Sequence, residues 1–119
     1  MQKFSSVDEL VRNIQPVDPV YCIRPNSIKT ACSWFKKNFP GKILYAVKTN
    51  PNEKILKYIV ESGIEKFDVA SINEIKLIKK IYPKAHAYYM NTIKSREHIK
   101  EAYFNYSIKD FAFDSRDEL

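Results

Sequence analysis

The chain has 119 residues, a length that suits one small domain. Hydrophobic residues make up 45% and aromatic residues 13% of the sequence, so it can bury a core, which excludes a generic disordered tail. The formal net charge is +6, but the lysines are spread along the chain and never run longer than a pair. This pattern is typical of a solvated surface and argues against a nucleic-acid footprint.

The sequence predicts neither membrane insertion nor a metal site. No segment reaches the roughly 18 consecutive apolar residues of a membrane helix, and the N-terminus lacks the apolar region of a signal peptide. Cys22 and Cys32 form no CxxC pair, and no Cys/His group has the spacing of a zinc site. We therefore expect free thiols, no metal and a cytoplasmic location.

Two elements and a long helix precede the main pattern. Ser6 and Glu9 have the spacing of a capping box, which predicts that a helix begins there. Residues 20–23 predict a short strand, because they are apolar and follow a proline. Pro25 suits the first position of a helix, and Pro40 ends it.

Strands and helices alternate in the rest of the chain. Four short apolar runs predict strands at 43–48, 67–70, 87–90 and 110–113. A helical pattern follows each strand, and the one after the fourth strand has only begun where the sequence ends. The strand centres recur roughly every 20–24 residues, which is typical of βαβ units with a parallel sheet.

The predicted fold is therefore α/β, the first half of a (βα)8 TIM-type barrel with about four βα units, in truncated form. Residues 1–24 form a lead-in, and residues 25–119 form the partial barrel domain. We expect strands buried on both faces and an apolar barrel interior. A glycine-rich nucleotide loop is excluded, because the chain contains only two glycines.

Lys48 is the first candidate site residue. It ends the first predicted strand, where a period of two places it on the face of Leu44 and Ala46. Functional side chains of a barrel lie at the carboxyl ends of its strands, and a partly desolvated lysine there is a nucleophile for Schiff-base chemistry. The alternative is an exposed lysine whose amine reaches water.

Asp68 and Glu74 are the candidate acids. Asp68 lies within the second strand, where its carboxylate can pair with Lys48 or orient a cationic group. Glu74 follows Ser71 at the spacing of a capping box, so a structural role competes with a functional one. His86 and His98 have no acid, thiol or hydroxyl partner at a suggestive position, and we interpret both as surface or packing residues.

Four motifs in order resemble one enzyme family, the pyridoxal-phosphate-dependent ornithine/diaminopimelate/arginine decarboxylases of the alanine-racemase-like barrel class. The motifs are Tyr-Ala-Val-Lys-Thr-Asn-Pro at 45–51, Phe-Asp-Val-Ala-Ser at 67–71 with Glu74 after it, Asn-Thr-Ile-Lys at 91–94, and Phe-Ala-Phe-Asp-Ser at 111–115. The second and fourth motifs resemble the ornithine branch more than the diaminopimelate branch. The similarity extends from residue 19 onward.

The resemblance implies a cofactor, a reaction and roles for three residues. Lys48 is expected to form the Schiff base with pyridoxal 5'-phosphate, Asp68 to lie near the cofactor, and Glu74 to support the site. The reaction implied is decarboxylation of a basic amino acid, with L-ornithine giving putrescine in polyamine biosynthesis. The small-molecule substrate is the expected partner, together with either a second subunit, since the family forms homodimers, or a separately encoded second half.

The resemblance also shows which family features have no counterpart in this sequence. A histidine that stacks on the cofactor ring, a glycine-rich phosphate segment and an acid for the ring nitrogen all belong to the second half of the family's barrel. A Cys-Asp pair comes from a C-terminal β domain of the partner subunit. We therefore expect this chain alone to be inactive and marginally stable. The alternative function is an inactive remnant or a regulatory decoy of the family.

Overall fold

The computed structural model describes residues 2–119, in which helices and strands alternate. The helices are α1 (Val7–Ile14), α2 (Pro25–Asn38), α3 (Glu53–Glu61), α4 (Ile72–Ile81) and α5 (Arg96–Tyr106). The strands are β1 (Leu44–Ala46), β2 (Lys66–Val69), β3 (His86–Tyr89) and β4 (Asp110–Phe111), and 3₁₀ helices occupy Val47–Thr49 and Arg116–Glu118. Within the described residues no helix is both long and apolar enough to cross a membrane.

The four strands form one parallel sheet in the order β1-β2-β3-β4. A helix connects each strand to the next, so three complete βα units and the start of a fourth follow one another around the sheet. One row of the sheet runs from Ala46 through Asp68 and Tyr88 to Asp110, each paired with the next. The arrangement confirms the predicted α/β fold with parallel strands.

Only one face of the sheet is apolar. Phe67 and Val69 of β2, and Ala87 and Tyr89 of β3, are buried, whereas the residues between them are half-buried or exposed. The buried residues form a single core with the inner faces of α3, α4 and α5: Val47, Leu56, Ile59, Ile64, Phe67, Val69, Ile72, Ile75, Ile78, Ala85, Ala87, Tyr89, Ala102 and Ile108. The expectation of an apolar face on both sides was wrong, because charged and polar side chains alternate with the core residues along each central strand.

Capping side chains begin α1, α4 and α5, the first two at the spacings that the sequence predicts. The hydroxyls of Ser6, Ser71 and Ser95 each accept a hydrogen bond from the backbone N–H three residues later, at 3.1, 3.3 and 3.2 Å. Each bond satisfies a backbone donor that has no partner inside the helix. After α3, Gly63 adopts φ +81°, a left-handed conformation that favours glycine and turns the chain toward β2.

Several predicted elements differ from the structure, and the first two strands end at Ala46 and Val69, before their predicted ends. Residues 20–23 form no strand, because among residues 2–119 no neighbouring strand pairs with their backbone, and Tyr21 is exposed. The third and fourth strands end at Tyr89 and Phe111, before the predicted ends. The helix expected after the fourth strand is a 3₁₀ helix over Arg116–Glu118.

Candidate functional site

Lys48 lies beyond the end of β1 rather than on its face. The strand ends at Ala46, and Lys48 is the central residue of the 3₁₀ helix Val47–Thr49. Its side chain is exposed, and no residue among 2–119 forms a hydrogen bond or ion pair with its amine. The predicted strand register was therefore wrong at this residue, because the turn after Ala46 breaks the period of two. Lys48 still stands at the carboxyl end of β1.

The backbone that carries Lys48 is held by hydrogen bonds on both sides. The Thr49 hydroxyl donates to the carbonyl of Ala46 at 2.7 Å, and the Tyr45 hydroxyl donates to the carbonyl of Asn50 at 3.3 Å. The Asn50 amide donates to the Tyr21 hydroxyl at 2.7 Å, which ties the lead-in segment to the same turn. The turn is thus fixed while the amine that it presents remains accessible.

Asp68 lies on the open face of the sheet, one strand away from β1. Its Cα is paired with that of Ala46, two residues before Lys48, and its side chain is half-buried. The two charged groups share one end of two neighbouring strands, but they form no ion pair. The predicted direct pairing of Lys48 with Asp68 is therefore not present in the structure.

Glu74 forms a variant of the capping box that its spacing predicts, because its carboxylate accepts from the N–H of Ala70 rather than from that of Ser71. Its Oε2 atom accepts a hydrogen bond from the backbone N–H of Ala70 at 2.8 Å, and its own N–H donates to the Ser71 hydroxyl at 3.3 Å. Both bonds lie where β2 turns into α4, so the carboxylate secures the end of the strand that carries Asp68.

A further charged residue at this edge was missed as a site residue. Lys94, in the loop after β3, has a side chain that is only 2% exposed and forms an ion pair with Glu118. The Tyr89 ring lies 5.8 Å from its amine. Burial, together with the carboxylates of Glu74 and Glu118, raises the pKa of Tyr89. The only sequence signal for this cluster was the Asn-Thr-Ile-Lys motif.

A second polar group joins the first residue of β3 to the first residue of β4, toward the amino-terminal edge of the sheet. The His86 Nε2 atom lies 2.7 Å from the Asp110 carboxylate, and its ring stacks on Tyr88 with centroids 4.5 Å apart. The prediction that His86 has no acid partner was wrong, because the partner comes from a strand 24 residues away. A shallow cavity of about 370 Å³ opens at this edge. Burial lowers the pKa of Lys79, which lines that cavity.

The arrangement suits pyridoxal phosphate better than a metal. Among residues 2–119 no three His, Cys, Asp or Glu side chains gather as a metal site would require. An accessible primary amine on a fixed turn, at the carboxyl end of a parallel strand, is the group that an aldehyde cofactor requires.

A family profile decides the identity of the domain. Residues 25–119 match the profile described as pyridoxal-dependent decarboxylase, pyridoxal binding domain. The chain belongs to this family. The match confirms the family predicted from the four motifs and pyridoxal phosphate as the cofactor of the domain.

Solved structures agree with this assignment. The ornithine decarboxylase of Entamoeba histolytica is 33% identical over 79% of this chain, with a TM-score of 0.70. The arginine decarboxylase of Paramecium bursaria Chlorella virus, solved with agmatine bound, is 28% identical over 79% of the chain, with a TM-score of 0.72. The lysine decarboxylase of Selenomonas ruminantium is 23% identical over 99% of the chain and shares the fold, with a TM-score of 0.80.

The chain spans only part of these relatives. It covers 28% of the Entamoeba enzyme, 26% of the viral enzyme and 31% of the Selenomonas enzyme. A search of curated protein sequences gave no significant match. The pyridoxal-binding domain is thus the part of a decarboxylase to which this chain corresponds.

Proposed function

We propose that this chain is the N-terminal part of a pyridoxal-phosphate-dependent decarboxylase of basic amino acids, with L-ornithine as substrate and putrescine as product. The observation that carries the proposal is the position of Lys48, an accessible amine without a partner among residues 2–119, at the carboxyl end of a parallel strand. The 33% identity to an ornithine decarboxylase supports ornithine over lysine and arginine. Polyamine synthesis in the cytoplasm follows from that substrate, and the unpaired cysteines agree with a reducing compartment.

In this proposal three residues have separate tasks. Lys48 would hold pyridoxal phosphate covalently through its amine. Asp68 places a carboxylate on the neighbouring strand, near the cofactor. Glu74 supports them by fixing the N–H of Ala70 at the end of β2. When bound, pyridoxal phosphate supplies the electron sink that stabilises the substrate carbanion as carbon dioxide leaves.

The proposal includes the rest of the enzyme as a partner. The chain covers about a quarter to a third of the solved relatives, so the remaining barrel strands and a second subunit are required for turnover. We expect residues 1–119 alone to bind the cofactor weakly and to release no carbon dioxide. A homodimer of the complete enzyme, or a separately encoded second half, supplies the missing groups.

The first test is covalent labelling of the purified chain. Pyridoxal phosphate is added, the C=N bond is reduced with borohydride, and the pyridoxyl group is located by peptide mass mapping. We expect the label on Lys48 and its loss in Lys48→Ala. Lys79→Ala is the matched control, because burial lowers the pKa of Lys79 and makes it the competing nucleophile on the opposite edge. A label that stays in Lys48→Ala, or that follows Lys79, refutes the assignment.

The second test measures the reaction. Residues 25–119 replace the matched segment of the Entamoeba ornithine decarboxylase, and carbon dioxide release from ornithine is measured. We expect the chimera to release carbon dioxide from ornithine and Lys48→Ala to abolish that release. A chimera that folds and is labelled on Lys48 but releases no carbon dioxide favours the inactive remnant or decoy instead.

A further inference from the structure

Lys94 is a buried charge for which the proposed function has no task. Its Nζ atom donates to the carbonyl oxygens of Ala112 at 2.6 Å and Asn91 at 2.8 Å, with that of Thr92 at 3.3 Å. It also lies 2.5 Å from the Glu118 carboxylate, and its side chain is 2% exposed. A buried ammonium is tolerated only when its hydrogen bonds are made, and four oxygens here surround a group with three hydrogens.

The four oxygens come from two different loops. Asn91 and Thr92 follow β3, whereas Ala112 and Glu118 follow β4. Between the two loops, the N–H of Ala112 donates to the carbonyl of Tyr89 at 3.0 Å. This is the final hydrogen bond of the β3–β4 pair, and the carbonyl of Ala112 then accepts from Lys94. The Lys94 ammonium therefore donates the hydrogen bond that a further pair of strand residues would have supplied, at the point where both loops begin.

Both loops lie at the same edge of the sheet as Lys48. The carboxyl ends of parallel strands share one edge, and ligands of such folds bind there. Glu74 satisfies the N–H of Ala70 after β2, and Lys94 satisfies the carbonyl of Ala112 after β4. Each of these charged side chains pairs with a backbone group that the strands leave without a partner. Glu74 does so next to the end of β2, and Lys94 does so next to the end of β4.

We propose that Lys94 is a positioning residue, which holds the loops after β3 and β4 in one arrangement and so shapes that half of the cofactor edge. The link to the cofactor rests on the proposed function, whereas the link between the loops rests on the contacts above. Lys94 is not a second nucleophile, because its hydrogens are donated to protein oxygens. It receives no pyridoxyl label in the wild-type chain.

The test compares two variants with a matched surface control. Lys94→Met keeps the apolar stem and removes the ammonium, and Glu118→Gln removes only the ion pair. The control is Lys76→Met, which breaks an ion pair with Glu101 whose side chains are 45% and 30% exposed. Hydrogen exchange is followed by mass spectrometry over 90–95 and 112–118. The dissociation constant for pyridoxal phosphate is measured in parallel and corrected for the folded fraction.

We expect Lys94→Met to speed exchange in both loops on the order of tenfold, while α3 and α4 keep their protection. We also expect it to weaken cofactor binding per folded molecule, with a smaller effect in Glu118→Gln and none in Lys76→Met. If Lys94→Met fails to fold, the exchange rates and cofactor binding of Glu118→Gln are compared with those of the wild type instead. This variant is expected to fold because it keeps the three carbonyl contacts of Lys94.

Three results overturn the inference. One is unchanged exchange in both loops, another is a uniform rise over the whole chain, and the third is pyridoxyl label on Lys94. If the wild-type chain takes no label on Lys48, the proposed function fails instead. Faster exchange confined to the two loops then still supports the role of Lys94 in holding them.

Discussion

Substitution of Glu74 separates a structural carboxylate from one that contacts the cofactor. Glu74→Ala removes the acceptor of the Ala70 N–H, which lies 2.8 Å away in a half-buried position. An unsatisfied N–H in such a place costs about 1–3 kcal/mol of the free energy of unfolding. Ser71→Ala removes the other half of the capping box and costs about 1 kcal/mol. Both losses together are a large fraction of the stability of a small domain.

Glu74→Gln is the informative companion. It keeps an oxygen that can accept from Ala70 and loses only the negative charge in the first turn of α4, which is worth about 0.3–1 kcal/mol. A capping role therefore predicts that alanine destabilises more than glutamine. It also predicts that the glutamine variant binds pyridoxal phosphate as the wild type does. Equilibrium urea unfolding, followed by circular dichroism, gives the first comparison, and labelling of Lys48 gives the second.

Two results would refute this reasoning in different ways. If Glu74→Ala unfolds within about 0.3 kcal/mol of the wild type, the carboxylate is not a significant cap. If Glu74→Gln keeps its stability but loses cofactor binding on the order of tenfold, its charge acts on the cofactor. In the second case Glu74 contacts the cofactor, as Lys48 does, and does not act only as a helix cap.

Three further predictions concern the fold. Leu56→Ala empties a fully buried position in α3 and should cost about 2–5 kcal/mol in urea unfolding; a loss below about 1 kcal/mol would contradict the core assignment. Gly63→Ala forces a left-handed residue and places a Cβ 2.7 Å from the Lys36 amine, so we expect about 1–2 kcal/mol of destabilisation by the same assay, and an unchanged midpoint would argue against the strain. Hydrogen bonds from Ser5 lower the pKa of Glu9 in the folded state. The ionised carboxylate therefore stabilises α1 above the pKa of the unfolded state, and this stabilisation is lost as the pH falls through the pKa of the folded state. We expect Glu9→Gln to flatten the loss of helicity between about pH 5 and 3, and an unaltered pH profile would contradict this role of Glu9.

The helices were predictable because their boundaries depend on local chemistry. Ser6, Ser71 and Ser95 cap the helices that follow them, and each bond joins residues only three positions apart. Gly63 ends α3 because it adopts a conformation that other residues resist. Such helices alternate with short apolar runs, and this alternation alone predicts a parallel sheet. No contact between distant residues is needed for that prediction.

Contacts between distant residues account for what the sequence could not show. The segment 20–23 has the composition of a strand, but no strand within residues 2–119 pairs with it. His86 meets Asp110 only because β3 and β4 lie side by side in a particular register. Lys94 has the charge of a surface residue, yet oxygens from residues 18 positions away and beyond bury it. In each case the order and register of the strands determine which residues meet, and the spacing of residues along the chain does not.

The three lysines on which these proposals depend show why burial alone does not identify a nucleophile. Lys94 is the most enclosed, but its hydrogens are all committed to protein oxygens. Lys79 has its pKa lowered by burial, yet its amine donates to the Ala85 carbonyl at 2.8 Å, on the amino-terminal edge of the sheet. Lys48 is the one of the three that combines an amine without a partner among residues 2–119 with the edge where parallel strands present ligands. An aldehyde cofactor requires an accessible amine in a fixed position, and of these three lysines only Lys48 meets both requirements. The labelling experiment with Lys79→Ala as control tests this assignment directly.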